Sequence, residues 1–190
     1  MRFSLPSGAS ARVSPPASPE MRAHRWWLPG MTATLVLAAS AAGAQPVRQG
    51  ARAPEIDLPA LAGGRVQLSK LRGHPVVVSF WGTYCPPCRD EFPELVRAHA
   101  MHATAGLRVL GVNGRDQEWS TKNVKKFVDE FAVTFPVALD ARGRSRQKYR
   151  VVGLPTTVFI DSAGVVQRIH MGPISREELD RGIAAILTPP

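Results

Sequence analysis

Cys85 and Cys88 are the only cysteines in this chain of 190 residues, and they stand two residues apart. Such a pair can staple the chain, bind a metal, or cycle between dithiol and disulfide. As a staple it is weak: closing so short a loop gains about 2 kcal/mol in the chain-entropy model, against ~4.7 for a hundred-residue loop. As a zinc site it lacks ligands, since tetrahedral zinc needs more than two thiolates. His99 and His102 are the nearest imidazoles in sequence. On a shared helix, His99 would lie about 16 Å from Cys88, too far for one ion, and both histidines read as a solvated helix face. Copper carriage by the two thiols alone stays open.

The redox reading has a geometric reason. The pair falls where a continuous apolar run gives way to a helical stretch, which puts Cys85 at a helix N-terminus. Free backbone N–H groups and the helix dipole favour an anion there, so the thiol pKa falls and a thiolate is available near neutral pH. Pro86 and Pro87 carry no N–H and leave fewer donors than ordinary residues would. Arg89 adds positive charge. Cys85 is therefore expected as the exposed attacking thiol and Cys88 as the buried resolving one.

The elements around the pair follow from periodicity and turn chemistry. Glu55–Leu58 and Arg65–Leu68 flank Gly63-Gly64 as a hairpin. Val76–Phe80 is an apolar, β-branched run, the mark of a buried strand. A helix is expected from Pro86 to Met101, with proline in its first turn and Pro93 kinking its middle. Leu107–Val112 is a strand. Ser120–Phe131 is an amphipathic helix presenting Val124, Phe127, Val128 and Phe131 on one face. Phe135–Leu139 is a short strand and Ser145–Tyr149 a short basic helix. Thr156–Ile160 and Val165–His170 are strands joined by a turn at Asp161–Gly164. Ser175 and Glu178 form a capping box that opens a last helix to Leu187. A hairpin followed by alternating strands and helices is an α/β domain: a mixed sheet with helices on both faces.

The segment Phe80-Trp81-Gly82-Thr83-Tyr84-Cys85-Pro86-Pro87-Cys88-Arg89-Asp90-Glu91-Phe92-Pro93 resembles the active-site signature of the TlpA/ResA-like (DsbE/CcmG-type) branch of the thioredoxin superfamily. Val152-Gly153-Leu154-Pro155-Thr156-Thr157 is similar to that family's cis-proline loop. The resemblance spans about Ala53 to Leu187. It implies a thioredoxin fold with an N-terminal β-hairpin and a central αβ insertion around Asn113–Ala138. It also implies extracytoplasmic thiol–disulfide exchange, usually in the reducing direction.

Carried over by residue, the resemblance makes Pro155 cis and sets the backbone of Leu154 beside Cys85. An extended substrate segment would pair there as a strand pairs with an edge. Trp81, Tyr84, Pro86, Pro87, Leu154 and Thr156 would surround the substrate, with Trp81 also a packing residue by type. Glu91 matches the family's acidic residue near the cysteines. It lies three residues after Cys88 on one helix face, and a raised pKa would let it exchange a proton with Cys88. A solvated acid in the first turns of the helix is the alternative. Ordinary thioredoxins carry a buried Asp in the strand where this chain has Ser79, so proton handling would move to Glu91 or to water. Tyr84 stands where Trp is commoner in the family, and Gly82 where Ala is commoner.

The family implies a protein substrate with a disulfide, such as apocytochrome c or an assembly factor, and a membrane electron donor of DsbD/CcdA type. No cofactor or metal is expected. An oxidase or isomerase would use the same motif, since reduction potential decides direction. A peroxidase would want Thr three residues before the reactive cysteine, where this chain has Gly82.

The N-terminal part reads differently. Residues 1–20 are rich in Ser, Pro and Ala and are expected to be disordered. A basic stretch from Met21 to Arg25, an apolar run from Met31 to Ala42 and the small residues Ala42-Gly43-Ala44 describe a secretory signal peptide or N-terminal anchor over 21–44. This implies periplasmic export. Translation is expected to start at Met21, with 1–20 a mis-assigned extension. Residues 45–53 read as a linker and 54–188 as the thioredoxin-like domain. The whole chain carries a formal charge of +9. Residues 1–44 hold four Arg and one Glu, so the remainder carries 20 basic against 14 acidic residues, a net +6. That charge favours acidic partners or anionic lipid and does not itself imply nucleic acid. Arg142, Arg144, Arg146, Lys148 and Arg150 are expected to scatter around a helix as a solvated surface, or to dock an acidic partner.

Overall fold

The computed structural model describes residues 47–188. The expected extension, signal segment and start site lie outside the described residues. Among the described residues no helix is long and apolar enough to cross a membrane.

The central sheet has five strands: β3 (Val76–Trp81), β4 (Arg108–Asn113), β5 (Val137–Leu139), β6 (Thr156–Ile160) and β7 (Val166–Met171), in the order β5-β4-β3-β6-β7. β3 lies in the middle, parallel to β4 and antiparallel to β6. All six of its residues are buried, which is why its sequence is apolar without alternation. Its side chains still alternate between faces. Val77 and Trp81 join the cluster built with α1 (Pro86–His102), α2 (Thr121–Glu130) and α4 (Arg176–Leu187). Val76, Val78 and Phe80 join Ile56, Leu110, Tyr149 and Ile160 on the other side. That second face is covered by the short α3 (Arg144–Lys148) and by the hairpin of β1 (Asp57–Pro59) and β2 (Arg65–Gln67). The expected α/β thioredoxin architecture with helices on both faces is therefore present, and its three longer helices share one face.

Helix ends follow their caps. Cys85 is the N-cap of α1, with Pro86 and Pro87 in the first turn, where missing N–H groups cost nothing. The element continues through Pro93 to His102. Ser120 caps α2, and Ser175 with Glu178 forms the expected capping box on α4. Both outer strands of the sheet are protected. The hairpin meets β5 through an Ala60–Ala138 bridge and a Leu61 N–H to Val137 O bond of 2.8 Å.

The linker expected over 45–53 is corrected for its described part. Gly50 N–H donates to Val166 O at 2.8 Å, Ala53 N–H to Gly164 O at 2.9 Å, and Val47 is buried. The start of β7 is a sheet edge with unpaired backbone groups, and residues 47–53 satisfy them.

Candidate active site

Cys85 and Cys88 form a disulfide across the first turn of α1, with Cα atoms 5.3 Å apart. Cys88 N–H points at Cys85 Sγ at 3.2 Å. In the dithiol form this donor and the helix N-terminus face the Cys85 sulfur and favour its thiolate. The two cysteines differ in access less than expected: Cys85 is 6% exposed and Cys88 0%. What separates them is the groove beside Cys85. It is lined by Cys85, Tyr84, Pro86, Pro87 and Leu154 among others, whereas Cys88 is sealed beneath.

The loop facing the pair is Val152–Pro155. The Leu154–Pro155 peptide is cis, as the resemblance implied. Gly172 N–H donates to Pro155 O at 2.9 Å, so β7 holds the loop from behind. Thr156 was expected at the substrate, but its side chain is buried and its Oγ1 donates to Gly153 O at 2.8 Å. It clasps the loop instead. Trp81 is corrected likewise. It is fully buried and packs on Phe92 and Phe127 with ring centroids 4.6 Å away in each case, so no substrate can reach it.

Gly82 and Tyr84 form a matched pair. A Cβ at Gly82 would lie 2.6 Å from the Tyr84 ring. The missing side chain lets the ring fold back, and the Tyr84 hydroxyl then donates to Gln117 Oε1. Arg89 does not reach toward the cysteines with a free charge. It pairs with Glu130 and lies over the Phe127 and Phe131 rings, 5.2 and 5.1 Å from their centroids. His99 is not a freely solvated residue either: its ring bonds Thr134 Oγ1 at 3.1 Å and packs on Phe135.

Glu91 is buried, 3% exposed, three residues along the helix from Cys88. Ser79 Oγ donates to its Oε1 at 3.3 Å, and its Oε2 has no partner among the described residues. Burial pushes its carboxyl up to about 8, against weaker lowering by the Ser79 hydroxyl and the Ile174 backbone. Glu91 is therefore a buried carboxyl with a raised pKa, and not the solvated acid of the alternative reading.

Three residues to which the sequence reading gave no role at the cysteine pair shape the site. Glu118, from the insertion, is a buried carboxylate that accepts Thr83 N–H at 2.6 Å, Thr83 Oγ1 at 2.5 Å and Asn113 Nδ2 at 2.9 Å. It fixes the loop two residues before Cys85. Asn113 ends β4 and is itself fully buried. Arg146 lies on α3 and reaches the groove beside Tyr84, Gln117 and Val152. None of these has a local sequence signal, because each acts on a residue distant in the chain.

The comparisons with known proteins agree with this geometry. The model of the AhpC/TSA family matches residues 49–169. The thioredoxin-like protein YneN of Bacillus subtilis is 35% identical over 135 residues, which cover 71% of this chain and 78% of YneN. The thiol-disulfide oxidoreductase ResA of Geobacillus kaustophilus is 35% identical over 140 residues, covering 74% of this chain and 79% of ResA. A protein from Chlorobium tepidum described as a thiol:disulfide interchange protein DsbE superposes with a TM-score of 0.69. It is 33% identical, over 75% of this chain and 99% of its own. With a CxxC pair at the N-terminus of α1, a cis-proline loop across from it and these relatives, the chain belongs to the AhpC/TSA family and, within it, to the ResA/DsbE-type thiol–disulfide oxidoreductases.

Proposed function

We propose that this protein is an exported reductase of protein disulfides, acting in the periplasm and drawing electrons from a membrane dithiol donor of DsbD/CcdA type. Its substrate is a disulfide-bearing protein such as apocytochrome c or a cytochrome assembly factor. The observation that carries the mechanism is the buried, half-unpartnered Glu91 carboxyl on the same helix face as Cys88.

The cycle moves two electrons and conserves atoms. Cys85 thiolate attacks one sulfur of the substrate disulfide. A Cys85–substrate bond forms, and the other substrate sulfur leaves as a thiolate that takes a proton from water. Glu91, which enters this step from the dithiol form as a carboxylate, then takes the Cys88 proton as Cys88 attacks Cys85, releasing the second substrate thiolate. The enzyme ends as a disulfide with Glu91 protonated. That is the state its raised pKa favours at neutral pH. Reduction by the donor runs the same proton back to Cys88. Proton exchange with a buried carboxyl thus replaces the strand aspartate of ordinary thioredoxins, where this chain has Ser79.

Tyr84, Pro86, Pro87 and Leu154 line the groove in which the substrate segment lies. Pro155 shapes the loop opposite. The export reading rests on the signal-like residues 21–44 and on the extracytoplasmic setting implied by the resemblance.

The direction of exchange is tested by the reduction potential of the Cys85–Cys88 pair, set by equilibration with defined dithiol buffers at pH 7. A value well below about −200 mV is expected; a value near about −120 mV would make the protein an oxidant and overturn the reading.

A further inference from the structure

The groove beside Cys85 holds a single charged residue, Arg146, among Tyr84, Cys85, Pro86, Pro87, Gln117, Val152, Gly153 and Leu154. Beyond Val152 the groove opens into a second basin that shares Arg146 and Val152 and adds Arg142, Arg150 and Asp116. Three arginines and one acidic residue therefore line a basin adjoining the groove that holds Cys85, and of the three Arg146 pairs with Asp116. The even spacing of the basic residues suggested scatter. The helix covers Arg144–Lys148, the chain turns at Gly143 and Arg150, both at positive φ, and Arg142, Arg146 and Arg150 line one basin.

Arg146 is placed by the fold. Its backbone N–H is held by the buried Asp140 carboxylate at 3.0 Å. Its side chain lies against Gly114, where a Cβ would come within 3.4 Å of Nη1, so the glycine leaves room for it. Its ion pair with Asp116 is long, 3.3 and 3.5 Å, and its buried Nε has no partner among the described residues. A guanidinium about one-fifth exposed in the groove that holds the reacting sulfur, and only loosely paired with Asp116, is suited to bind a carboxylate. Around it the exposed Tyr84 and Val152 offer apolar contact to a chain laid in the groove.

We propose that this groove selects substrate segments that carry an acidic side chain close to their disulfide, with Arg146 as the specificity-determining residue and Arg142 and Arg150 as the supporting field. The inference deepens the reductase reading and rests on it. Arg146 acts on substrate choice, by pairing with the incoming carboxylate while the cysteine of the same segment meets Cys85.

The test uses the reduced full-length protein and two synthetic peptides, each closed by one intramolecular disulfide and identical except for Glu or Gln beside one cysteine. Rates of enzyme oxidation are read in single turnovers by quenching and intact mass. The Glu peptide is expected to react about five- to tenfold faster at low salt, and the ratio to shrink toward one in about 0.5 M salt. In Arg146→Gln the ratio falls to near one. A merely structural role for Arg146 would slow both peptides alike and leave the ratio intact. A ratio near one in the unaltered protein, or a ratio unchanged in Arg146→Gln, overturns the proposal. Should Arg146→Gln fail to fold, the exposed pair Arg142→Gln/Arg150→Gln decides: the ratio drops by about half through the lost field, or the proposal fails. If neither peptide oxidises the dithiol, the reductase reading itself falls, an outcome distinct from equal rates.

Discussion

Ser79 of the central strand donates its hydroxyl to Glu91 of α1 at 3.3 Å, inside the core and beside the redox pair. One hydroxyl at 3.3 Å and the nearby Ile174 backbone are weak compensation for a buried carboxylate, and Oε2 makes no hydrogen bond among the described residues. The carboxyl is consequently neutral at pH 7 in the disulfide form, with its pKa raised from 4.5 to about 8.

Stability of the oxidised protein should therefore fall as pH rises. Below about pH 4.5 Glu91 is protonated both folded and unfolded, and burial costs nothing extra. Between about 4.5 and 8 the unfolded chain ionises and the folded one does not, so the native state binds more protons and loses ground with each pH unit. The full difference is of order 5 kcal/mol at pH 9. Urea midpoints at pH 5 and pH 9 measure it. Glu91→Gln should remove this part of the slope and be the more stable protein at pH 9; equal slopes would show that Glu91 is not the group responsible.

The same substitution tests the proton transfer. Glu91→Gln keeps the shape but cannot accept the Cys88 proton. Resolution of a preformed Cys85–substrate mixed disulfide should slow by about a hundredfold at pH 7, while the first attack by Cys85 changes far less. Stopped-time trapping of the mixed disulfide separates the two steps. Loss of both steps alike would indicate damage to the fold.

Glu118 predicts a different response. Its carboxylate accepts two bonds from Thr83 and one from Asn113. Glu118→Ala leaves a half-buried N–H and a buried amide without an acceptor, and should lower stability by about 2–3 kcal/mol, read as a shifted urea midpoint. It should also slow the attack by Cys85, whose loop is no longer held. A cost below about 0.5 kcal/mol would mean that the clamp contributes nothing.

Gly182 of α4 tests the packing of the helical face on the sheet. A Cβ there would lie 2.3 Å from the ring of the fully buried Phe159. Gly182→Ala gains about 1 kcal/mol of helix propensity but forces an overpacked core that costs about 1–3 kcal/mol. Because the ring has little space to move, the expected net effect is a lower melting temperature. A raised melting temperature would show that Phe159 relocates freely.

The site was legible where its chemistry is local. Cys85, Cys88, Glu91 and Pro155 lie within short motifs, and the caps at Cys85, Ser120 and Ser175 announce helix starts because a cap acts on residues two or three away. Glu118 carried no such mark, since its partner Thr83 is 35 residues distant and only the crossing from β3 to β4 brings them together. Arg146 looked like one solvated charge among five until the turns around α3 folded it into the groove. Motif membership alone puts Trp81 and Thr156 at the substrate. The alternation of β3 and the return of the Thr156 hydroxyl to Gly153 turn both inward. Residues 47–53 lack apolar periodicity because their role is to supply backbone partners to β7, which composition does not reveal.

The central claim is that Cys85 attacks and Cys88 resolves. It is tested most directly by mixing reduced Cys88→Ser and Cys85→Ser variants with one disulfide-closed peptide and weighing the products by intact mass spectrometry. Cys88→Ser should accumulate a stable adduct one peptide heavier, because the buried resolving thiol is gone. Cys85→Ser should accumulate none. An adduct on Cys85→Ser that matches or exceeds the one on Cys88→Ser would contradict the account.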